Sequence, residues 1–152
     1  MTQIKVHKTL PPTYFVLLLL ISLFLHFFFP YMRILTAPYT YSGFLLISFG
    51  ITINIWADML MKREKTTVKP DQKPTALITY GPFSFSRNPQ YLGFTATLLG
   101  ISVCLGTFTS FVSPIVFALL MQTMFIPLEE KNLQEEFGRK YIDYKNIVRS
   151  WI

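Results

Sequence analysis

The residues from Tyr14 to Phe29 are almost wholly apolar, broken only by Ser22 and His26. A helix needs roughly 20 mostly apolar residues to cross a bilayer, with about 17 at the low end. Three further runs follow the first. Tyr41 to Met61 carries one acid near its end, Asp58; Tyr91 to Leu105 is short; Phe108 to Ile126 is the last. Only Gly106 and Thr107 separate the last two, which makes them a tight helical hairpin. The pattern predicts an all-α integral membrane protein with transmembrane helices at about 14–29, 41–61, 91–105 and 108–126. These four spans form one domain over 1–152, with an amphipathic C-terminal helix and a loop or re-entrant segment before the third. The first span reads as a retained helix. Its apolar run is longer than the core of a signal peptide, and Pro30-Tyr31-Met32 is no small-residue cleavage site.

Composition excludes the main alternatives. Charged residues make up 14% of the chain, whereas a soluble domain carries about 25%. A hydrophobic share of 51% rules out disorder. A single cysteine, Cys104, rules out a disulfide scaffold and reads as inert in its apolar helix. No Cys/His metal set is present, since His7 and His26 are poorly placed for one. His26 reads as structural.

The 14 lysines and arginines are unevenly distributed along the chain. Lys5 and Lys8 precede the first span. Lys62, Arg63, Lys65, Lys69, Lys73 and Arg87 lie between the second and third, and Lys131, Arg139, Lys140, Lys145 and Arg149 follow the fourth. Arg33 alone falls on the other side. Basic residues mark the cytoplasmic side of membrane proteins, so both termini and the 62–90 loop are expected in the cytoplasm. The net charge of +6 is then a membrane-surface signature, not a nucleic-acid one.

Nearly all polar sequence lies in 62–90 and 127–152, so a site is expected where these segments meet the helix ends. Pro82 and Pro89 forbid a regular helix through the loop. Gly81-Pro82 reads as a turn. Asn88-Pro89 reads as a helix start, with Asn88 as N-cap and Pro89 at the first helical position. The free N–H groups of that turn, with Arg87 beside them, suit an anion such as a carboxylate. The same pattern also fits an Asn88 that only caps and an Arg87 that only reaches for lipid phosphates.

Glu129 and Glu130 follow the fourth span directly, where unpaired carboxylates are costly. They suit a cationic group such as an ammonium. Equally, Pro127 suits the first turn of a surface helix, where acids match the helix dipole. From Leu128 to Tyr144, Leu133, Phe137, Tyr141 and Tyr144 follow helical spacing, weakened at Gly138. That stripe fits an interfacial helix, or a lid whose tyrosines wall a pocket. Asp58 lies one turn before Lys62, which makes a local ion pair the default, although an intramembrane acid is also a site candidate. Gly43, Gly50, Gly93 and Gly100 allow close helix packing, within or between chains.

Several motifs together carry a resemblance. Tyr80-Gly81-Pro82 precedes Ser86-Arg87-Asn88-Pro89-Gln90-Tyr91-Leu92-Gly93. Pro127-Leu128-Glu129-Glu130, Phe137-Gly138-Arg139-Lys140-Tyr141 with Tyr144, and Val148-Arg149-Ser150-Trp151 come after. In this order they resemble the signature of the isoprenylcysteine carboxyl methyltransferase family, over about residues 40–152. The wider group of small membrane methyltransferases also includes phospholipid N-methyltransferases. The resemblance implies an enzyme that uses S-adenosylmethionine and releases S-adenosylhomocysteine. It places the cofactor among Tyr80, Gly81, Arg87, Asn88, Pro89, Tyr91, Glu129, Glu130 and Tyr141. Glu130, Tyr144 and Arg149 become the candidates nearest the reaction. A lipophilic substrate enters from the bilayer, and membrane lipids are the other partners. Eukaryotic members of the carboxyl-methylating family carry histidine where this chain has Asn88, which leaves a carboxylate, thiol or amine acceptor open. The short chain resembles prokaryotic members, which places it in an inner membrane. Two other classes compete: a non-catalytic scaffold, and a small four-helix transporter. The transporter would need a mid-span carboxylate, which the first span lacks.

Overall fold

A computed structural model describes residues 10–66 and 74–152. The expected cytoplasmic cations Lys5, Lys8, Lys69 and Lys73, and His7, lie outside the described residues. The helices are α1 (Pro11–Phe28), α2 (Gly43–Arg63), α3 (Pro89–Leu105), α4 (Val112–Leu120), α5 (Ile126–Phe137) and α6 (Arg139–Ile147). No strand occurs among the described residues beyond a bridge between Arg33 and Thr107.

Three helical stretches are long and apolar enough to cross a membrane: Pro11–Phe28, Tyr39–Arg63 and Phe108–Phe137. Only 17%, 28% and 33% of their apolar windows are buried within the protein. The remaining apolar side chains, such as Leu20, Phe27, Leu45 and Ile115, face outward, as they must against lipid. α3 has 17 residues and rises about 25 Å, short of the roughly 30 Å hydrocarbon core. One end carries Arg87, which meets the C-terminal segment. The other carries Gly106, whose carbonyl accepts the Ile34 N–H at 2.8 Å.

α3 is central because of what it lacks. Gly50 and Gly43 on α2 face Gly93 and Gly100 on α3, and the two backbones touch. A Cβ on Gly93 would lie 2.7 Å from the Gly50 carbonyl oxygen, and one on Gly100 2.6 Å from that of Gly43. The small residues foreseen in the sequence therefore seal a contact within the chain. On its other face α3 contributes Tyr91 and Leu98 to a core with Leu18, Phe117, Met121, Phe125 and Ile126. α1 leans on α3 and α4, while α2 rests chiefly on α3. A gap thus opens between α1 and α2 at the end of the bundle that carries α5 and α6, here called the basic end.

At the opposite end, short polar side chains tie the elements together. The Ser102 hydroxyl donates to the Ser110 carbonyl at 2.7 Å, and the Ser22 hydroxyl to the same oxygen at 3.3 Å. His26 Nδ1 lies 3.1 Å from the Thr107 hydroxyl, which confirms a structural histidine.

Two expectations for the last third of the chain need correcting. Pro127 does not begin a separate surface helix, because the rod runs unbroken from Phe108 to Phe137. Proline in a helix loses one hydrogen bond and clashes with the carbonyl four residues back. A wide π turn at Met121–Phe125 immediately precedes it, the kind of local widening found at functional helices. Nor does one amphipathic helix run from Leu128 to Tyr144. Gly138 adopts φ 53° and ψ −124°, ends α5 and folds α6 back. L-residues with side chains rarely take that φ. The stripe still converges across the bend: Tyr141, Tyr144 and Val148 pack with Leu77, Leu133 and Phe137.

Candidate functional site

The loop before α3 enters the basic end through a turn at Gly81-Pro82, and Pro89 starts α3 as expected. Asn88 occupies the cap position but makes no side-chain capping bond. Its amide instead donates to the Ser150 carbonyl at 3.0 Å and the Ser150 hydroxyl at 2.9 Å. The buried Ser86 hydroxyl donates to the same carbonyl at 3.2 Å. The loop is thereby laced to the C-terminal segment.

Arg87 does not reach out to lipid phosphates. Its side chain is 10% exposed and forms the centre of a clasp. One terminal nitrogen donates to Glu130 Oε1 at 2.5 Å, and the other to the carbonyls of Val148 at 2.7 Å and Lys145 at 3.0 Å. Lys145 Nζ donates to the second Glu130 oxygen at 2.6 Å. Glu130 is thus held by two cations and joins the loop, α5 and α6. The backbone N–H of Arg87 donates to the Arg149 carbonyl at 2.9 Å, while the Arg149 side chain is exposed.

Behind the clasp, the Tyr144 hydroxyl donates to the Phe83 carbonyl at 2.6 Å. Burial pushes that phenol up to about 12, against a smaller opposing effect of Arg87. Burial also raises Tyr141, with Glu130 adding to the effect and Arg87 opposing it. Both are neutral donors at ordinary pH. Two polar atoms here are buried without a hydrogen-bond partner: Arg87 Nε and the Tyr141 hydroxyl.

Glu129 faces elsewhere. Its side chain is 6% exposed and accepts a hydrogen bond from the Tyr91 hydroxyl. Two cavities meet at this pair. The larger, about 490 Å³, lies between the start of α1 and the face of α2 bearing Asn54, Ile55 and Asp58, with Phe94 at its wall. The smaller, about 20 Å³, is bounded by Phe83, Arg87, Asn88, Pro89 and Leu133. Gln90, Tyr91 and Glu129 belong to both. The larger volume falls in the range of small-molecule sites, about 300–1,000 Å³.

The structure thus brings Arg87, Asn88, Pro89, Tyr91 and Glu129 around one small space, with Glu130 and Tyr141 just behind it. Tyr80 stands apart, exposed and donating to Glu64 Oε1 at 2.5 Å, and Gly81 packs beneath Trp56 and Leu60. Neither lines either cavity. Asp58 forms the expected pair with Lys62 at 2.6 Å, yet also lines the larger cavity. No group of three metal-ligating side chains occurs among the described residues. Sequence reasoning missed Lys145, Ser86, Ser150 and Asn54. Ser86 and Ser150 stand inside the quoted motifs, and Asn54 is an amide inside an apolar run.

A family model described as phospholipid methyltransferase matches residues 39–140, from the start of α2 into α6. The chain therefore belongs to the phospholipid methyltransferase family. It is 30% identical over 117 residues to protein-S-isoprenylcysteine O-methyltransferase B of Arabidopsis thaliana, covering 69% of this chain and 58% of that one. A probable protein-S-isoprenylcysteine O-methyltransferase of Oryza sativa subsp. indica is 32% identical over 118 residues, covering 73% and 59%. The protein-S-isoprenylcysteine O-methyltransferase of Schizosaccharomyces pombe is 36% identical over 83 residues, covering 53% and 34%. The chain thus spans between a third and three-fifths of the length of these relatives.

Proposed function

We propose that this chain transfers a methyl group from S-adenosylmethionine to the polar head of a lipophilic acceptor at the cytoplasmic face of a membrane. The observation that carries the reading is a buried carboxylate, Glu129, in the wall shared by a large cavity and a small one beside Arg87. A ligand with an α-ammonium and an α-carboxylate fits the groups left short of partners. Glu129 receives the ammonium. Arg87 and the first turn of α3, which border the smaller cavity, receive the carboxylate. Glu130, saturated by Arg87 and Lys145, holds the clasp shut and leaves Arg87 aimed. The rings of Tyr91 and Phe94 offer their faces to a cationic centre.

When bound, S-adenosylmethionine supplies a methyl group on a positively charged sulfur that departs neutral. The protein's share is alignment and the exclusion of water. The gap between α1 and α2 lets a lipophilic molecule enter sideways, with its head toward Glu129. A carboxylate head needs no base. An amine or thiol must shed a proton before it attacks. The excess of cations at this end supports a cytoplasmic orientation. In this reading α3 counts as a fourth, short span.

Calorimetric titration of S-adenosylhomocysteine into the purified chain in nanodiscs tests the proposal. Micromolar binding by wild type and a loss of about a hundredfold in Glu129→Ala are expected, as for a lost charge-assisted hydrogen bond. No binding by folded wild type would sink the reading.

A further inference from the structure

The larger cavity contains a polar group that the cofactor reading does not use. Asn54 lies within α2, one turn before Asp58, in a stretch otherwise built from apolar and small residues. It lines the cavity, and its carbonyl oxygen Oδ1 is buried without a hydrogen-bond partner. Such an acceptor is costly to leave unsatisfied, and native proteins rarely do so outside functional sites. An apolar side chain at this position would avoid the cost.

The fold also makes room for this amide. A Cβ on Gly93 would lie 2.7 Å from both Asn54 Cγ and Asn54 Nδ2, so the side chain sits in the notch that Gly93 leaves in α3. Gly93 is two residues beyond Tyr91, which shares the cavity wall with Glu129. The other polar groups of that wall are Asp58, Lys62, Thr66 and Gln90. The charges of Asp58 and Lys62 match each other at 2.6 Å. Among the groups of this wall, the one buried polar atom left without a partner is an acceptor, the Asn54 carbonyl.

We propose that Asn54 is a specificity-determining residue of this cavity. Its carbonyl accepts a hydrogen bond from an N–H or O–H on the head of the lipophilic molecule and holds that head against the Glu129–Tyr91 wall. The inference rests on the cavity being the acceptor site. It adds a preference for heads that donate hydrogen bonds over an ionised carboxylate.

The test uses the full chain in phosphatidylcholine nanodiscs, with two probes of equal chain length, hexadecylamine and hexadecanoic acid. Wild type is compared with Asn54→Leu and Asn54→Ala. Three quantities are read: probe affinity, S-adenosylhomocysteine affinity and Tm. Both variants are expected to bind hexadecylamine about tenfold more weakly, as for one lost hydrogen bond. Their S-adenosylhomocysteine affinity should stay within about twofold, since Asn54 and Arg87 line different cavities. Their Tm should fall by no more than about 2 °C, because Asn54 makes no hydrogen bond that the free protein would lose. Comparing each probe between wild type and variant cancels its partition into the bilayer.

Unchanged hexadecylamine affinity in both variants overturns the proposal, and so does a wild type that binds neither probe. A large fall in Tm in both variants makes Asn54 a structural residue and also overturns it. Tighter binding of hexadecanoic acid than of hexadecylamine by wild type overturns the acceptor role. Asn54-dependent binding of hexadecylamine without any S-adenosylhomocysteine binding upholds Asn54 while the methyl-transfer reading fails.

Discussion

The two ends of the bundle handle buried polar groups in opposite ways. At the end carrying Ser22, Ser102 and Ser110, hydroxyls reach neighbouring carbonyls, and among the described residues there Ser113 alone leaves a buried side-chain oxygen unpaired. At the basic end, Arg87 Nε, the Tyr141 hydroxyl and Asn54 Oδ1 are all buried and unpaired. Glu129 is buried with Tyr91 as its hydrogen-bond donor. A satisfied end rigidifies the fold, whereas an unsatisfied one keeps bonding capacity for something else. The difference separates a half of the molecule whose polar groups are matched within the fold from a half where several are not.

The largest expected effect lies at the clasp. Arg87→Ala should cost about 3–5 kcal/mol, because it strands Glu130 at the centre of a buried network. Lys145→Ala removes the half-exposed partner of the same carboxylate and should cost under about 1 kcal/mol. Denaturant titration in mild detergent measures both, and equal costs would break the distinction between the buried and exposed arms. Next comes the seam that serves both ends. Gly100→Ala forces a methyl group onto the Gly43 backbone and should cost about 1–3 kcal/mol. Thermal unfolding reads this, and an unchanged Tm would mean the two helices are free to part. Gly138→Ala follows at about 1 kcal/mol, for a backbone angle alone, since a Cβ there meets nothing within 4 Å. Smallest is Ser22→Ala, under about 1 kcal/mol for one long hydrogen bond. Its S-adenosylhomocysteine affinity should match wild type, and a weakened affinity would erase the contrast between the ends.

Much of this molecule was legible in advance because lipid demands a crude code. Uninterrupted apolar runs located the first two long helices to within a few residues and the start of the last, whose end lies eleven residues further on at Phe137, and Gly106 located the hairpin. Residue chemistry raised Arg87 and Glu129 as candidates beside plainer structural roles, and the resemblance added Tyr91. What stayed hidden depends on distance along the chain. Nothing local to Asn88 says that it bonds Ser150 in preference to its own helix. Nothing local to Glu130 says that Lys145 will fold back to meet it. Pro127 misleads for a different reason. Its tendency to interrupt a helix is real, but the π turn before it absorbs the disturbance, and no short pattern announces that turn. Asn54 was simply read as part of an apolar run.

The π turn at Met121–Phe125 has a consequence of its own. It is one residue longer than an α-helical turn needs, so every side chain beyond it is rotated by about 100° relative to an unbroken α-helix. Those five residues therefore act as a phase shifter, tuned so that Phe125, Ile126 and Glu129 all point inward. Deleting the exposed Thr123 would straighten the rod without touching a single inward contact directly. It would also swing Glu129 and Glu130 away from Tyr91 and Arg87, and leave the chain apolar, helical and membrane-bound but out of register with its own loop.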